Sequence, residues 1–170
     1  MIEHAWHFVF KEVFVGEIHV ALIQPEIPWN TGNIGRTCLA IGAHLHLVKP
    51  LGFVLNAYEI KRAGLDYWPH VKVHMHDDGH AFLKTLPNYE RVLFLSTHAK
   101  QSLYDTRVQT NDKVLLVFGR ESAGLPEEMM QTYQSWLFRI PMTSEHVRSL
   151  NISTSVAISV YEIYRQMHVL

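Results

Sequence analysis

At 170 residues, 48% of them hydrophobic, the chain can bury one substantial core but not two comfortable ones. A formal net charge of -1 and a pI near 6.9 exclude a generally basic nucleic-acid coat, so any RNA partner has to be held by a local cluster of Lys and Arg. The single cysteine, Cys38, excludes an internal disulfide framework and fits a reducing cytoplasm, and no apolar run reaches the length of a membrane span.

Residues 1–16 are aromatic and roughly alternating, which permits an edge strand or an arm; they read as an N-terminal extension ahead of a single domain, 17–170. Glu3 and Glu12 stand where a signal peptide would want basic residues and an apolar stretch, so a cytoplasmic protein is expected. Ile18 to Ile23 is a continuous apolar run of the kind buried on both faces of a parallel sheet. The loop from Pro25 that follows offers Asn30, Thr31 and Asn33 as helix caps, and helical spacing from about Ile34 puts Arg36 near the strand's C-terminal edge. Next come a strand at Leu45 to Val48, a helix at Asn56 to Ala63 stopped by Gly64, and a strand at Val71 to His74. A helix at Gly79 to Leu86 ends at Pro87, and a strand runs from Arg91 to Leu95. This alternation predicts βαβ units and a largely parallel α/β sheet.

The last third carries a strand at Val114 to Phe118, a glycine-bounded loop Gly119 to Pro126, a short helix, a strand at Trp136 to Pro141 and a polar loop Arg148 to Ser153. Two strands that run straight into Gly/Ser/Asn-rich loops bring backbone N–H groups to one sheet edge, where open α/β folds bind ligands. The terminal helix, Asn151 to about His168, has Ile152, Val156, Val160, Ile163, Tyr164 and Met167 on one stripe and Ile158 and Tyr161 on another. A helix apolar on two sides must be covered on both, which favours a homodimer.

Familiar chemistries fail on their residues. Gly119 and Gly124 have phosphate-loop spacing, but Leu125 and Pro126 stand where that motif needs Lys and Ser/Thr. Gly32 and Gly35 lack the third glycine of a dinucleotide fingerprint, and no G-x-S-x-G elbow exists for a serine hydrolase. Among 12 histidines, the pairs His4/His7, His44/His46 and His74/His76 raise a metal site, but no Cys and few spaced carboxylates complete a tetrahedral set, so no metal is expected. Asp77-Asp78 reads as a helix start. Taken singly, Arg36 and Arg148 read as solvated charges and Asn30, Ser149 and Asn151 as helix caps.

Three loops, Asn30-Thr-Gly-Asn-Ile-Gly-Arg36, Phe118-Gly-Arg-Glu-Ser-Ala-Gly-Leu-Pro126, and Ile140-Pro-Met with Arg148-Ser-Leu-Asn-Ile-Ser153, stand in the order and separation of the motifs of the SPOUT-class RNA 2′-O-methyltransferases, which the chain resembles. The opening from Pro25 to Ile34, the central Arg62-Ala-Gly-Leu-Asp-Tyr67 and the lack of an added RNA-binding domain make it most similar to the YibK-like branch, whose members act on tRNA cytidine/uridine 34. The resemblance implies a parallel-sheet SPOUT fold with a C-terminal deep trefoil knot and a homodimer with the site near its interface. It also implies S-adenosyl-L-methionine as cofactor, contacted by Leu95, Gly119, Ile140, Ser149 and Leu150.

Arg36 is similar to the family's essential arginine, and Asn30, Glu121 and Asn151 match its other polar positions. Because a guanidinium is always protonated, Arg36 is read as holding the phosphate and stabilising oxyanion charge, with Asn30 and Asn151 orienting it and Glu121 tethering it or the motif loop; the activating base is the alternative role. The expected partner is the anticodon stem-loop of leucine tRNAs, met by Lys49, Lys61, Arg62 and Arg148 with Trp29 or Tyr67 stacking a base. Another tRNA or rRNA position, or a non-enzymatic knotted RNA-binding dimer, remain the rival readings. Gly35, a helix-weakening residue beside Arg36, has no explanation in the sequence.

Overall fold

The computed structural model describes residues 16–54 and 66–168. The expected helix over Asn56–Ala63, most of the central Arg62–Tyr67 motif and nearly all of the N-terminal extension lie outside the described residues. Among the described residues seven strands form one sheet: β1 (Ile18–Ile23), β2 (His44–Val48), β3 (Lys72–His76), β4 (Arg91–Leu95), β5 (Gln101–Ser102), β6 (Val114–Phe118) and β7 (Leu137–Arg139). Their order is β3-β2-β1-β6-β4-β7-β5, and every pairing is parallel. β1 and β6 sit together near the middle and are buried along their whole length, as their unbroken apolar runs require.

The α-helices among the described residues are α1 (Pro28–Ala40), α2 (Gly79–Leu83), α3 (Glu127–Thr132) and α4 (Ile152–Met167). α1 and α4 pack on one face of the sheet, where Ile34, Cys38, Val156, Val160 and Ile163 close over Val20, Leu22, Leu45 and Leu116. On the other face Phe82 and Met129, from α2 and α3, cover Ala21, Ile23, Phe94 and Val117. Along α4 the stripe of Val156, Val160, Ile163 and Met167 is buried, while Tyr161 on the second stripe is 51% exposed. No helix among the described residues is long and apolar enough to cross a membrane.

Several elements depart from the sequence expectation. α1 begins at Pro28 rather than near Ile34, because proline at the first helical position is already set for the helix. Asn30 and Thr31 are therefore buried inside α1 instead of capping it, which frees the Asn30 amide for a contact outside the helix. β3 runs to His76, α2 stops at Leu83 with a separate 3₁₀ turn at Leu86–Asn88 accommodating Pro87, and β7 shrinks to three residues as Trp136 joins a 3₁₀ turn. β5, two residues long, leaves no periodic signal to read.

Gly35 now has a physical reason. A Cβ there would stand 2.5 Å from Cζ3 of Trp68, whose indole is buried against α1. Gly35→Ala gains about 1 kcal/mol of helix propensity but must displace a packed ring, at a cost of about 1–3 kcal/mol. Net destabilisation in urea denaturation is the expected outcome.

Candidate active site

Loops leaving the C-terminal ends of β1, β4, β6 and β7 meet at one sheet edge. The tightest is the one after β6. Arg120 and Gly124 exchange two backbone hydrogen bonds of 2.9 Å, Gly124 adopts φ +71°, and Gly119 packs so closely on it that a Cβ would lie 2.0 Å from the Gly124 carbonyl carbon. Glycine is required at 124 for the left-handed turn and at 119 for the close approach.

From this loop Glu121 reaches the start of α1. Its Oε2 accepts from the Glu26 N–H at 2.8 Å, and its Oε1 accepts from the Ile27 N–H at 3.2 Å and from Asn30 Nδ2 at 3.1 Å. α1 has no side-chain cap of its own, so the carboxylate does the capping from a distant loop and adds negative charge at a helix N-terminus. Glu26 reciprocates. It accepts from the Ser122 N–H and Oγ, each at 2.9 Å, and these bonds, the backbone one first, hold its carboxyl below the usual range. Gln24, at the end of β1, accepts from Arg120 Nη2.

The third motif joins through Asn30, whose Oδ1 accepts from Asn151 Nδ2 at 3.0 Å. Asn151 caps α4, its own Oδ1 accepting from the Ser153 N–H at 2.8 Å. A continuous chain, Glu121 to Asn30 to Asn151, thus fastens three loops far apart in sequence, and the 7% exposed Asn30 has both ends of its amide satisfied. Glu121→Gln presents one carbonyl and an amide to three N–H donors. A loss of about 1–3 kcal/mol in thermal or urea unfolding is expected, from donors left unpaired.

Between these loops lies a cavity of about 900 Å³. Its walls include Leu95, Gly119, Ile140, Ser149 and Leu150, the five positions expected to meet a cofactor, together with Asn30, Glu121 and Asn151. The exposed Arg148 lines it as well, and so do Ser96 and Thr97, which were not among the expected positions. Their signal was available: they follow Leu95 directly, in the same strand-to-loop position as Gly119 after Phe118.

Arg36 is not among the lining residues. Six positions beyond Asn30, it points about 120° away from it round α1, so the two side chains do not serve one crevice from the same face; Asn30 bonds to Glu121 and to Asn151 rather than to Arg36. Its guanidinium lies over the Tyr67 ring, 4.6 Å from the centroid, and Tyr67 Oη donates to the Gly32 carbonyl at 2.9 Å. Arg36 shares an exposed stripe of α1 with Asn33 and with Trp29, which is 65% exposed.

A crevice of this size, at the carboxyl ends of parallel strands and bounded by glycine backbone, is the arrangement in which α/β enzymes hold an organic cofactor or nucleotide. The model of the SpoU rRNA Methylase family matches residues 17–161, and the chain belongs to that family of methyltransferases. The chain is 44% identical over 150 residues to the tRNA (cytidine(34)-2'-O)-methyltransferase of Acidovorax sp. strain JS42, spanning 87% of this chain and 91% of that protein. A solved structure concerned with the 2-OH methylation of C/U34 on tRNA aligns at TM-score 0.82 and 46% identity, over 91% of this chain and 99% of that one. An AdoMet-bound rRNA methyltransferase from Sinorhizobium meliloti aligns at TM-score 0.78 and 26% identity over 90% of this chain, which spans 57% of that longer protein.

Proposed function

We propose that the chain transfers a methyl group from S-adenosylmethionine to the ribose 2′-hydroxyl of nucleotide 34, cytidine or uridine, in leucine tRNAs, working in the cytoplasm as a homodimer on the anticodon stem-loop. One observation carries this reading: the Glu121–Asn30–Asn151 chain draws three motif loops round a single cavity whose walls hold every expected cofactor position. Residues 17–170 would form the catalytic domain, with 1–16 as an extension. The placing of β7 between β4 and β5, both earlier in the chain, supports a C-terminal segment threaded as a deep trefoil knot.

The residues present fit the cofactor. A cavity of about 900 Å³ bounded by the backbone of Gly119 and by Leu95, Ile140 and Leu150 suits an adenosine, and Ser149 adds a hydroxyl. When bound, S-adenosylmethionine supplies an electrophilic methyl on a positively charged sulfur. The chain supplies orientation, and a site for the charge that develops on the ribose oxygen as its proton leaves.

Arg36 is suited to that second task. Permanently protonated, it can hold the adjacent phosphate with its fork of N–H groups and stabilise the oxyanion, the proton passing to a phosphate oxygen or to water. Since Arg36 lies outside the cavity of its own subunit, it would act on the cavity of a partner subunit. α1 and α4 pack together, and the exposed Tyr161 and Trp29 on these helices, with Ile27 just before α1, are the apolar surface such a dimer would cover.

The test is transfer of labelled methyl to bulk tRNA by the purified protein, followed by mapping of the modified nucleotide. Label on the 2′-oxygen of nucleotide 34 in leucine tRNAs is expected. Label elsewhere would replace the target, and cofactor binding without label would leave a non-enzymatic RNA-binding dimer.

A further inference from the structure

Five histidines lie on one face of the sheet, away from the cavity. His19 on β1 is level with His44 on β2, and His46 is level with His74 on β3, with His76 two residues further along. The ring of His19 stacks on that of His44, centroids 4.4 Å apart, and His46 stacks on His74 at 4.6 Å. At the sheet's N-terminal edge, just before β1, Glu17 places Oε2 3.1 Å from His19 Nε2. Spacing along the chain argued against a metal because no Cys and few suitably spaced carboxylates complete a set; strand register brings His44 beside the Glu17–His19 pair.

We propose that Glu17, His19 and His44 form a binding site for a borderline divalent transition-metal ion of the Zn²⁺ class, clamping β1 to β2. One ligand atom from each of the three lies within 4.8 Å of the other two. A His₂Glu set leaving one position open is an established zinc arrangement, and ligand atoms about 3.3 Å apart are what bonds of about 2.0–2.1 Å at tetrahedral angles need.

The neighbouring histidines supply the support that metal-bound imidazoles require. His19 Nδ1 is 2.8 Å from His46 Nε2, and His46 Nδ1 is 2.9 Å from His76 Nε2. With Nε2 of His19 on the metal, its Nδ1–H donates to His46, whose Nδ1–H donates to His76, so one directed set of tautomers satisfies the row. His44 Nδ1 is likewise 2.9 Å from His74 Nε2, leaving its own Nε2 to ligate. Glu17 and His44 also line a cavity of about 260 Å³, which gives an ion a route from solvent. The competing cation is Lys113, whose Nζ is 3.2 Å from Glu17 Oε2.

The test uses the untagged full chain at pH 7.5, with Zn²⁺ delivered against a chromophoric chelator. One tight equivalent per chain is expected. His44→Gln and Glu17→Gln, both at partly open positions, should weaken it by 100-fold or more on the scale where losing a mere supporting partner costs about 10- to 100-fold; His46→Gln should fall in that lower range. Lys113→Met should tighten it, and His80→Gln on α2 should change nothing. Absence of a tight equivalent, or unchanged affinity in both His44→Gln and Glu17→Gln, overturns the site. Neither readout depends on methyl transfer, so the proposed activity and the metal site stand or fall separately.

Discussion

Arg36→Ala is expected to lower methyl transfer by a factor of about 10² to 10³ or more, the range for loss of one donor to a developing oxyanion, about 3–4 kcal/mol of transition-state stabilisation. Cofactor affinity should stay within about twofold, because an interaction made only in the transition state leaves ground-state binding untouched. The structure gives the reason: Arg36 lies over Tyr67 on the outside of α1, and every expected cofactor position is elsewhere, around the cavity. Arg36→Lys should not rescue, since an ammonium keeps the charge but lacks the bidentate fork and the planar stacking on Tyr67. The checks are single-turnover transfer to tRNA and calorimetric titration with S-adenosylmethionine. Loss of cofactor binding in Arg36→Ala would make Arg36 a structural residue.

Gly119→Ala should produce the largest loss of cofactor binding. Its Cβ would lie 2.0 Å from the Gly124 carbonyl carbon and 2.1 Å from the Leu125 nitrogen, and backbone atoms cannot swing aside as a side-chain tip can. Relief requires opening the Arg120–Gly124 bridge, and with it the position of Glu121 between them, on which the start of α1 and Asn30 depend. A stability loss of roughly 3 kcal/mol or more and a fall of at least about 100-fold in cofactor affinity are expected. Gly124→Ala is the control. Its Cβ meets nothing within 4 Å, so only the left-handed φ of +71° is penalised, at about 1–2 kcal/mol. Equal effects at the two positions would mean that conformational freedom, rather than close approach, shapes the loop.

What the sequence made legible follows from how local each cause is. The runs Ile18 to Ile23 and Val114 to Phe118 announce strands buried on both faces, and those two strands stand side by side in the sheet. The three motif loops were also readable, because glycines and small polar residues after a strand mark a ligand edge. The long-range partners were not readable. Glu121 contributes through donors at Glu26, Ile27 and Asn30, more than ninety residues away, and Gly35 makes sense only once Trp68 lies against it. Asn30 looked like a helix cap because polar residues near Pro28 usually are; proline began the helix earlier and put that amide to a different use. Arg36 was expected in the first turn or two of its helix, beside the crevice; because α1 starts at Pro28 it falls in the third turn, and its direction around the helix shifts with that start. The histidine row escaped for a similar reason: alternation put each pair on one face, but only the register of three strands brings the rows together and sets His44 beside His19 and Glu17.

The proposed two-subunit site can be tested most directly by pairing two chains each expected to be inactive. Arg36→Ala and Gly119→Ala chains, co-expressed with different tags and purified as the mixed dimer, leave one cavity that combines an intact cofactor loop from one subunit with an intact Arg36 from the other. Recovery of methyl transfer to nucleotide 34, up to about half that of the unmodified dimer as one site of two is restored, is the predicted result. A mixed dimer that binds S-adenosylmethionine at one site yet transfers no methyl would contradict it, and would return Arg36 to its own subunit or remove it from the chemistry.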